Sequence, residues 1–350
     1  MISIVIAGQI VVIIASKHNE AALRAMGGTV GTFAGALAAL LFIVLYYIKK
    51  RNVISNKIYT SYTDGKKIFL RLVSIMIPII LSQTIYQIGY TIDDYLFADI
   101  MKNKGWGDVY ITDLQGVFNT QYTQMINLPI GMATAFGVSV IPRITASYKT
   151  KKKLEMSKNI EQLIGMTSVV VLPATIGLTI CADEIMSVLF PNLGEMYTIA
   201  VKLLAYGSVS AILYSFSTIS TSILQGCNYF KIPVINSALS LGVHVIIVAS
   251  LIKYTELQTY ALLIGDMIFP LLILVFNVCV IIKKIKPQVD WKKSVVTPLL
   301  GAMLMGGAVL VLRMTANYFG IASLWKLALE VIVGIAVYGI YVKLFVIKRK

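Results

Sequence analysis

Residues 69–94 read FLRLVSIMIPIILSQTIYQIGYTIDD, an apolar stretch of helix length with a polar stripe down one side. Gln83, Gln87, Tyr90 and Asp94 follow one another at steps of 4, 3 and 4, which places them on one face of an α-helix, with Ser82 and Tyr86 beside them. A run of about 20 apolar residues is long enough to cross a bilayer. Glutamine and aspartate inside such a run are costly against hydrocarbon, so this face needs water, a polar ligand or another helix. Asp93 points roughly 100° away from the stripe and reads as a loop charge.

The apolar part of this stretch, 69–92, is one of ten such runs. The others cover 2–16, 27–48, 118–142, 160–181, 197–225, 232–252, 259–282, 295–313 and 327–347. The whole chain of 350 residues is 57% hydrophobic and only 13% charged, with a mean hydropathy of +0.81. A soluble domain carries about 25% charged residues, so this chain cannot cover a water-exposed surface. Roughly 200 apolar residues at about 20 per span predict about ten helical spans. The expected fold class is an all-α, polytopic membrane helix bundle, and an ordinary cytosolic enzyme is excluded.

Lys and Arg number 31 against 16 Asp and Glu, a formal charge of +15. The placement of these charges is more informative than their sum. Alternate loops hold 23 and 8 of the basic residues, the asymmetry that arises when cytoplasmic loops collect Lys and Arg. The rich set comprises 49–71, 142–159, 226–231, 283–293 and the C-terminus, so the chain reads as a multi-pass cell-membrane protein with both termini cytoplasmic. Lys49-Lys50-Arg51, Lys151-Lys152-Lys153 and Lys283-Lys284 then read as topology anchors near anionic membrane lipids, and no nucleic-acid partner is expected. The first run is short for a span and has no basic residue before Lys17, as a signal peptide requires. Either its helix is clipped or the chain begins late.

Three other runs carry polar stripes. Thr120, Gln124, Asn127, Gly131 and Thr134 repeat the helical spacing, as do Ser210, Tyr214, Ser217, Thr221 and Gln225, and then Asn236, Ser240 and His244. The serine-rich stripe also fits interhelical packing, where small hydroxyl residues serve as glue. Gln83, Gln87, Tyr90, Asp94, Gln124 and Asn127 are the candidate cavity-lining residues. His244, midway through its run, is either a hydrogen-bonded neutral imidazole or a proton-sensitive switch. Asp266, one to two turns inside its helix, must be protonated, paired or facing water, and is a candidate coupling site. Arg71 and Arg143 stand at helix ends, placed either to bind phosphate or to snorkel toward head groups. Pro78, Pro129, Pro173 and Pro270 lie within the runs and permit kinks.

No P-loop, GxGxxG after a strand, HExxH or GxSxG motif occurs, and His18 and His244 are the only histidines. No enzyme activity, cofactor or metal is expected. Cys181 and Cys279 sit in two different runs and Cys227 just past the end of a third, without metal-ligand spacing, and all three read as inert core thiols.

Several stretches carry a family likeness. They are the Gly-Thr-Phe-Ala-Gly-Ala segment at 31–36 ending in Tyr46-Tyr47 before a basic loop, Ile77-Pro78-Ile79-Ile80-Leu81-Ser82, Leu128-Pro129 through Ile141-Pro142-Arg143, residues 183–190 (DEIMSVLF), and Ile223-Leu224-Gln225-Gly226. In order and spacing the chain resembles oligosaccharide flippases of the stage V sporulation protein B type. These belong to the multidrug/oligosaccharidyl-lipid/polysaccharide exporter superfamily, to which the lipid II flippase is related. The likeness covers most of residues 27–282. It implies helices five to fourteen of a fourteen-helix plan: a remnant of a first lobe at 1–48, a complete second six-helix lobe at 69–282, and two additional helices at 295–347. Four N-terminal helices of that plan are missing, so a missing segment or a partner lobe is expected to supply the opposing wall.

Two functions follow from the resemblance. The first is alternating-access transfer of a lipid-linked oligosaccharide or peptidoglycan precursor to the outer leaflet, with Arg71 and Arg143 at the pyrophosphate through their planar forks. The second is cation- or proton-coupled export of amphipathic drugs, with Asp94 or Asp266 binding the cation. A remnant without activity of its own is the third possibility.

Overall fold

The computed structural model describes residues 21–55 and 65–347, so the run at 2–16 lies outside the described residues. The chain divides into two compact units, 1–70 and 71–350. In the first unit α1 (Ala21–Ser55) carries apolar side chains from Leu37 to Ile48 around its whole circumference, the pattern of a helix that faces hydrocarbon on every side. The same unit contains the opening residues of α2 (Gly65–Asn103), most of which belongs to the second unit.

The second unit continues with α3 (Asp108–Gly116), which runs through a π turn, Val117–Tyr122, into α4 (Thr123–Lys149). Then follow α5 (Lys153–Ile180), the short α6 (Ala182–Leu189), α7 (Tyr197–Gly207), α8 (Val209–Gly226), α9 (Lys231–Tyr254) and α10 (Thr259–Val280). Two more, α11 (Thr297–Tyr318) and α12 (Ser323–Tyr341), complete it. Among the described residues there is no strand. Eight of these helical stretches have the length and apolarity to cross a membrane, or nine when α7 and α8 count as one span bent by 45°. Those nine coincide with the nine apolar runs from residue 27 onward.

The linkers are shorter than the runs imply. The segment at 93–117, expected as a long connection, is mostly helix, because Phe97 and Met101 sit four apart and continue the buried face of α2 past the last apolar run. Likewise α4 reaches Lys149 and α5 begins at Lys153. The turn between them passes through Lys151 at φ 56°.

Helix α4 packs against α5 and α8, α10 against α8 and α9, and α11 against α5 and α12. Two large apolar clusters result. One gathers Phe97, Leu114, Met186, Leu203, Val248 and Leu262; the other gathers Val140, Ile144, Ile160, Leu163, Ile223 and Ile281. Helix α10 contributes to both, with Leu262 and Leu263 near its start and Ile281 just past its end, and Asp266 falls between. On α8 Tyr214 occupies the corresponding place between Ala211 and Ile219. A polar layer is thus inserted between two apolar ones.

Candidate functional site

The polar layer is built from four spans. Asp266 on α10 is buried, and its carboxylate accepts from the Tyr122 hydroxyl at 2.6 Å and from the Tyr214 hydroxyl at 2.9 Å. Tyr90 on α2 donates in turn to the Tyr214 oxygen at 3.2 Å. Tyr122 is presented by the π turn, the kind of local irregularity that re-aims a side chain. Its ring lies against Gly207, where a Cβ would stand 2.8 Å from the Tyr122 Cζ, so the close approach of the two helices depends on glycine there.

Beside this group His244 on α9 bridges two helices. Its Nε2 lies 2.8 and 2.9 Å from the two carboxylate oxygens of Asp93, and its Nδ1 lies 3.0 Å from the Gly265 carbonyl oxygen. Both ring nitrogens therefore face acceptors, and the imidazolium, with two N–H groups, satisfies both. Gly265 permits the contact, since a Cβ there would stand 2.9 Å from His244 Cε1. The space bordered by Tyr86, Tyr90, Asp93, Tyr214, His244 and Asp266 is about 10 Å³, room for roughly one water. The network leaves almost no free volume, where the polar stripes predict a wet groove.

The sequence-derived residues separate into groups. Gln83 and Gln87 on α2 and Gln124 and Asn127 on α4 are exposed. Tyr90 joins the buried network. Asp94, expected on the open face with the two glutamines, is instead half-buried and held: its Oδ1 accepts from Asn119 Nδ2 at 2.8 Å and its backbone carbonyl from Gln115 Nε2 at 2.7 Å. Gln115 on α3 comes from what the sequence presents as a linker, 93–117, and Asn119 from the π turn that opens the run at 118–142. Arg143 is exposed, with Nη1 3.5 Å from Gln162 Oε1 on α5. The Arg71 side chain lies outside the described residues.

The serine-rich stripe of α8 is buried between helices, as the packing alternative expects. Asn277 on α10 donates to Ser220 Oγ and Thr221 Oγ1, each at 3.0 Å, and accepts from Asn236 Nδ2 at 2.8 Å. Of the three cysteines, Cys181 and Cys227 are buried at helix ends. Cys279 corrects the core-thiol expectation, because the outward face of α10 carries it and it is exposed. Among the described residues no cluster of His, Cys, Asp and Glu suits a metal ion.

Comparison with known proteins places this arrangement. The family model described as "Lipid II flippase MurJ" matches residues 1–330. The chain belongs to the lipid II flippase MurJ family. It is 23% identical over 249 residues to the lipid II flippase MurJ of Bacillus subtilis (strain 168), covering 70% of this chain and 46% of that protein. It is 26% identical over 220 residues to the stage V sporulation protein B of the same organism, covering 61% of this chain and 40% of that one. The matches therefore span less than half the length of these curated relatives. A solved structure titled lipid II flippase MurJ, inward closed conformation, superposes with a TM-score of 0.64 at 14% identity, over 98% of this chain and 66% of that one. The fold is that of the MurJ helical bundle.

In this member of the MurJ family, three residues of the polar layer escape a reading by stripes: Asp93, Tyr122 and Asn277. Asp93 is not a loop charge; α2 continues ten residues beyond it and turns it onto α9. The signal was present, since Tyr86, Tyr90 and Asp93 are spaced by 4 and 3 and form a second face next to the glutamine stripe. Tyr122 gave no such signal, because a π turn shifts the register that helical spacing assumes. A further cluster at the opposite end of α5 was also missed: Glu184 on α6 pairs with Arg313 Nε at 3.1 Å and with Lys326. It ties α6 to α11 and α12.

Proposed function

We propose that this chain moves a lipid-linked oligosaccharide or peptidoglycan precursor from the cytoplasmic to the outer leaflet of the cell membrane by alternating access. The observation that carries this reading is the pairing of two exposed amide faces, Gln83 with Gln87 and Gln124 with Asn127, with a buried ionic and tyrosine network in a MurJ-family bundle. Amide side chains both donate and accept, which suits the hydroxyls of a sugar head group. Arg143, together with Arg71, would meet the pyrophosphate through charge-assisted contacts. A second lobe, upstream or on a partner chain, would form the opposite wall, because these four amides are exposed.

In this account the buried network provides the coupling. The Asp93–His244 pair holds one proton that joins α2 to α9, and Asp266 holds α10 to α8 and to the π turn through its two tyrosines. Losing that proton would leave both ring nitrogens against acceptors with one N–H between them, which weakens the tie between helices. Both termini would be cytoplasmic, so Lys151→Cys in the basic loop should react with an impermeant maleimide only from that side; reaction from outside only would reverse the orientation.

The test is flipping of a radiolabelled lipid-linked precursor in proteoliposomes holding the chain together with its second lobe. Flipping above protein-free vesicles is expected, with a drop of about tenfold in Arg71→Ala, Arg143→Ala. Unchanged flipping in that variant would remove the phosphate assignment. Ethidium efflux lost with Asp266→Asn, in vesicles that never flip precursor, would replace the proposal with a drug exporter.

A further inference from the structure

We propose that the groove between α5, α8 and α10 is a binding site for an anionic diacyl phospholipid of the surrounding membrane, with Lys286 as the head-group residue. The inference rests on the membrane-spanning reading and is independent of precursor flipping. The groove has a volume of about 830 Å³, within the range of roughly 300–1,000 Å³ typical of small-molecule sites. Its walls are apolar: Ile160 from α5, Phe216 and Ile223 from α8, Leu274 and Val278 from α10. Such walls match acyl chains and give nothing for a sugar to bond.

The end of the groove has different chemistry. Past α10 the chain widens into a π turn, Ile281–Ile285, and Lys286 then adopts a left-handed conformation at φ 51°, just before Pro287. The strap that follows is pinned to α5, where Gln288 N donates to Ser157 Oγ at 3.1 Å and Asp290 N to Glu161 Oε2 at 3.3 Å. This places Lys286 and Trp291 on the groove's own lining, the cation and the amphipathic ring expected at a membrane–water interface.

Charge decides the occupant. Lys283, Lys284, Lys286, Lys292 and Lys293 fall within eleven residues, with Asp290 as the one acid among them. Asp290 is already engaged, since its Oδ1 accepts from Lys293 N at 3.1 Å. Lys284 stacks over the Tyr229 ring at 5.0 Å. Among the described residues no ion pair involves Lys283, Lys286, Lys292 or Lys293. An apolar groove that ends at unneutralised lysines is complementary to a phosphodiester carried on acyl chains. A zwitterionic lipid satisfies the walls but brings its own ammonium to offset its phosphodiester, leaving the lysines without a net counter-charge, and a free phosphate satisfies the rim alone.

Native mass spectrometry of the full chain, released from detergent after incubation with dioleoyl phosphatidylglycerol or dioleoyl phosphatidylcholine, tests the site. Preferential retention of phosphatidylglycerol is expected. Lys286→Ala should lower it about fivefold, as each lysine near an anionic surface contributes on that order. Val278→Trp, which fills the groove, should lower it while far-ultraviolet circular dichroism stays unchanged, and Lys149→Ala in the other basic loop should leave it intact. Equal retention of the two lipids would overturn the proposal, as would an equal loss with Lys149→Ala, which marks diffuse surface attraction. Displacement by glycerol 3-phosphate would reduce the site to an anion contact, and displacement by a polyprenyl phosphate at lower concentration than phosphatidylglycerol would assign the groove to the precursor's tail. Either result also overturns it.

Discussion

His244 on α9 holds both carboxylate oxygens of Asp93 on α2 through a single ring nitrogen, at 2.8 and 2.9 Å. The pair is almost enclosed, with side-chain exposures of 3% for His244 and 14% for Asp93. Removing one member of such a pair strands the other, an expected loss of about 3–5 kcal/mol. Asp93→Ala and His244→Ala should each lower stability by that order, and the double variant by clearly less than their sum. Denaturant unfolding of the purified protein in detergent reads this out. Additive losses would mean that the two side chains are not coupled.

Asp266 depends unequally on Tyr122, which it contacts directly, and Tyr90, which it reaches only through Tyr214. Tyr122 is fully buried and 2.6 Å away, whereas Tyr90 is half-buried and acts through Tyr214. Tyr122→Phe removes a hydrogen bond to a carboxylate and should cost about 1.5–3 kcal/mol, and Tyr90→Phe about 1 kcal/mol. The ranking in thermal unfolding is the check; a larger loss for Tyr90→Phe would contradict the geometry.

Two glycines set the helix spacing around this network. A Cβ on Gly265 runs into Val248 and His244, and one on Gly207 into Tyr122 and Leu263. Gly265→Ala and Gly207→Ala should each destabilise by about 1–3 kcal/mol through overpacking. Gly242→Ala, on α9 with open space around it, should be neutral or slightly stabilising in the same unfolding assay.

Burial, reinforced by the neighbouring Glu330 carboxylate, pushes the Cys181 thiol up to about 12, and burial alone does the same for Cys227. The thiolate is the reactive form, and a thiol raised that far above the usual value of about 8.5 is almost wholly protonated at pH 8. Alkylation of both by iodoacetamide at pH 8 should be about a thousandfold slower in the folded protein than after denaturation, as read by peptide mass mapping. The gap should narrow steadily as pH rises toward 11. Rapid labelling at pH 8 would show that these ends of α5 and α8 are open.

The spans were legible in the sequence because a bilayer imposes a length and a composition that nothing else in the chain imitates. The nine apolar runs from residue 27 onward match eight helices long and apolar enough to cross a membrane and one bent pair, and the Gln83–Gln87 and Gln124–Asn127 faces are exposed on the helices that carry them. His244 and Asp266 were also legible, as ionisable groups too deep to be unpartnered. Their partners were hidden for different reasons. Asp93 lay beyond the last apolar residue of its run, where hydropathy ends but the helix does not. Tyr122 lay in a π turn, which breaks the spacing used to sort residues onto faces. Asp94 followed the stripe perfectly and still fell off the open surface, because Gln115 approaches from a segment that sequence alone leaves as a loop and Asn119 from the π turn that follows it.

Transport as proposed requires the amide faces of α2 and α4 to contact water inside a membrane protein. Substituted-cysteine accessibility in native membranes measures this directly, using Gln87→Cys, Asn127→Cys and Ile80→Cys in a Cys279→Ser background and a membrane-impermeant methanethiosulfonate. Positions 87 and 127 should label and be protected by a lipid-linked precursor, and position 80, an exposed apolar site on α2, should not label. Labelling equally absent at all three would place the glutamine and asparagine faces against hydrocarbon or dry protein, and the transport reading would fail with them.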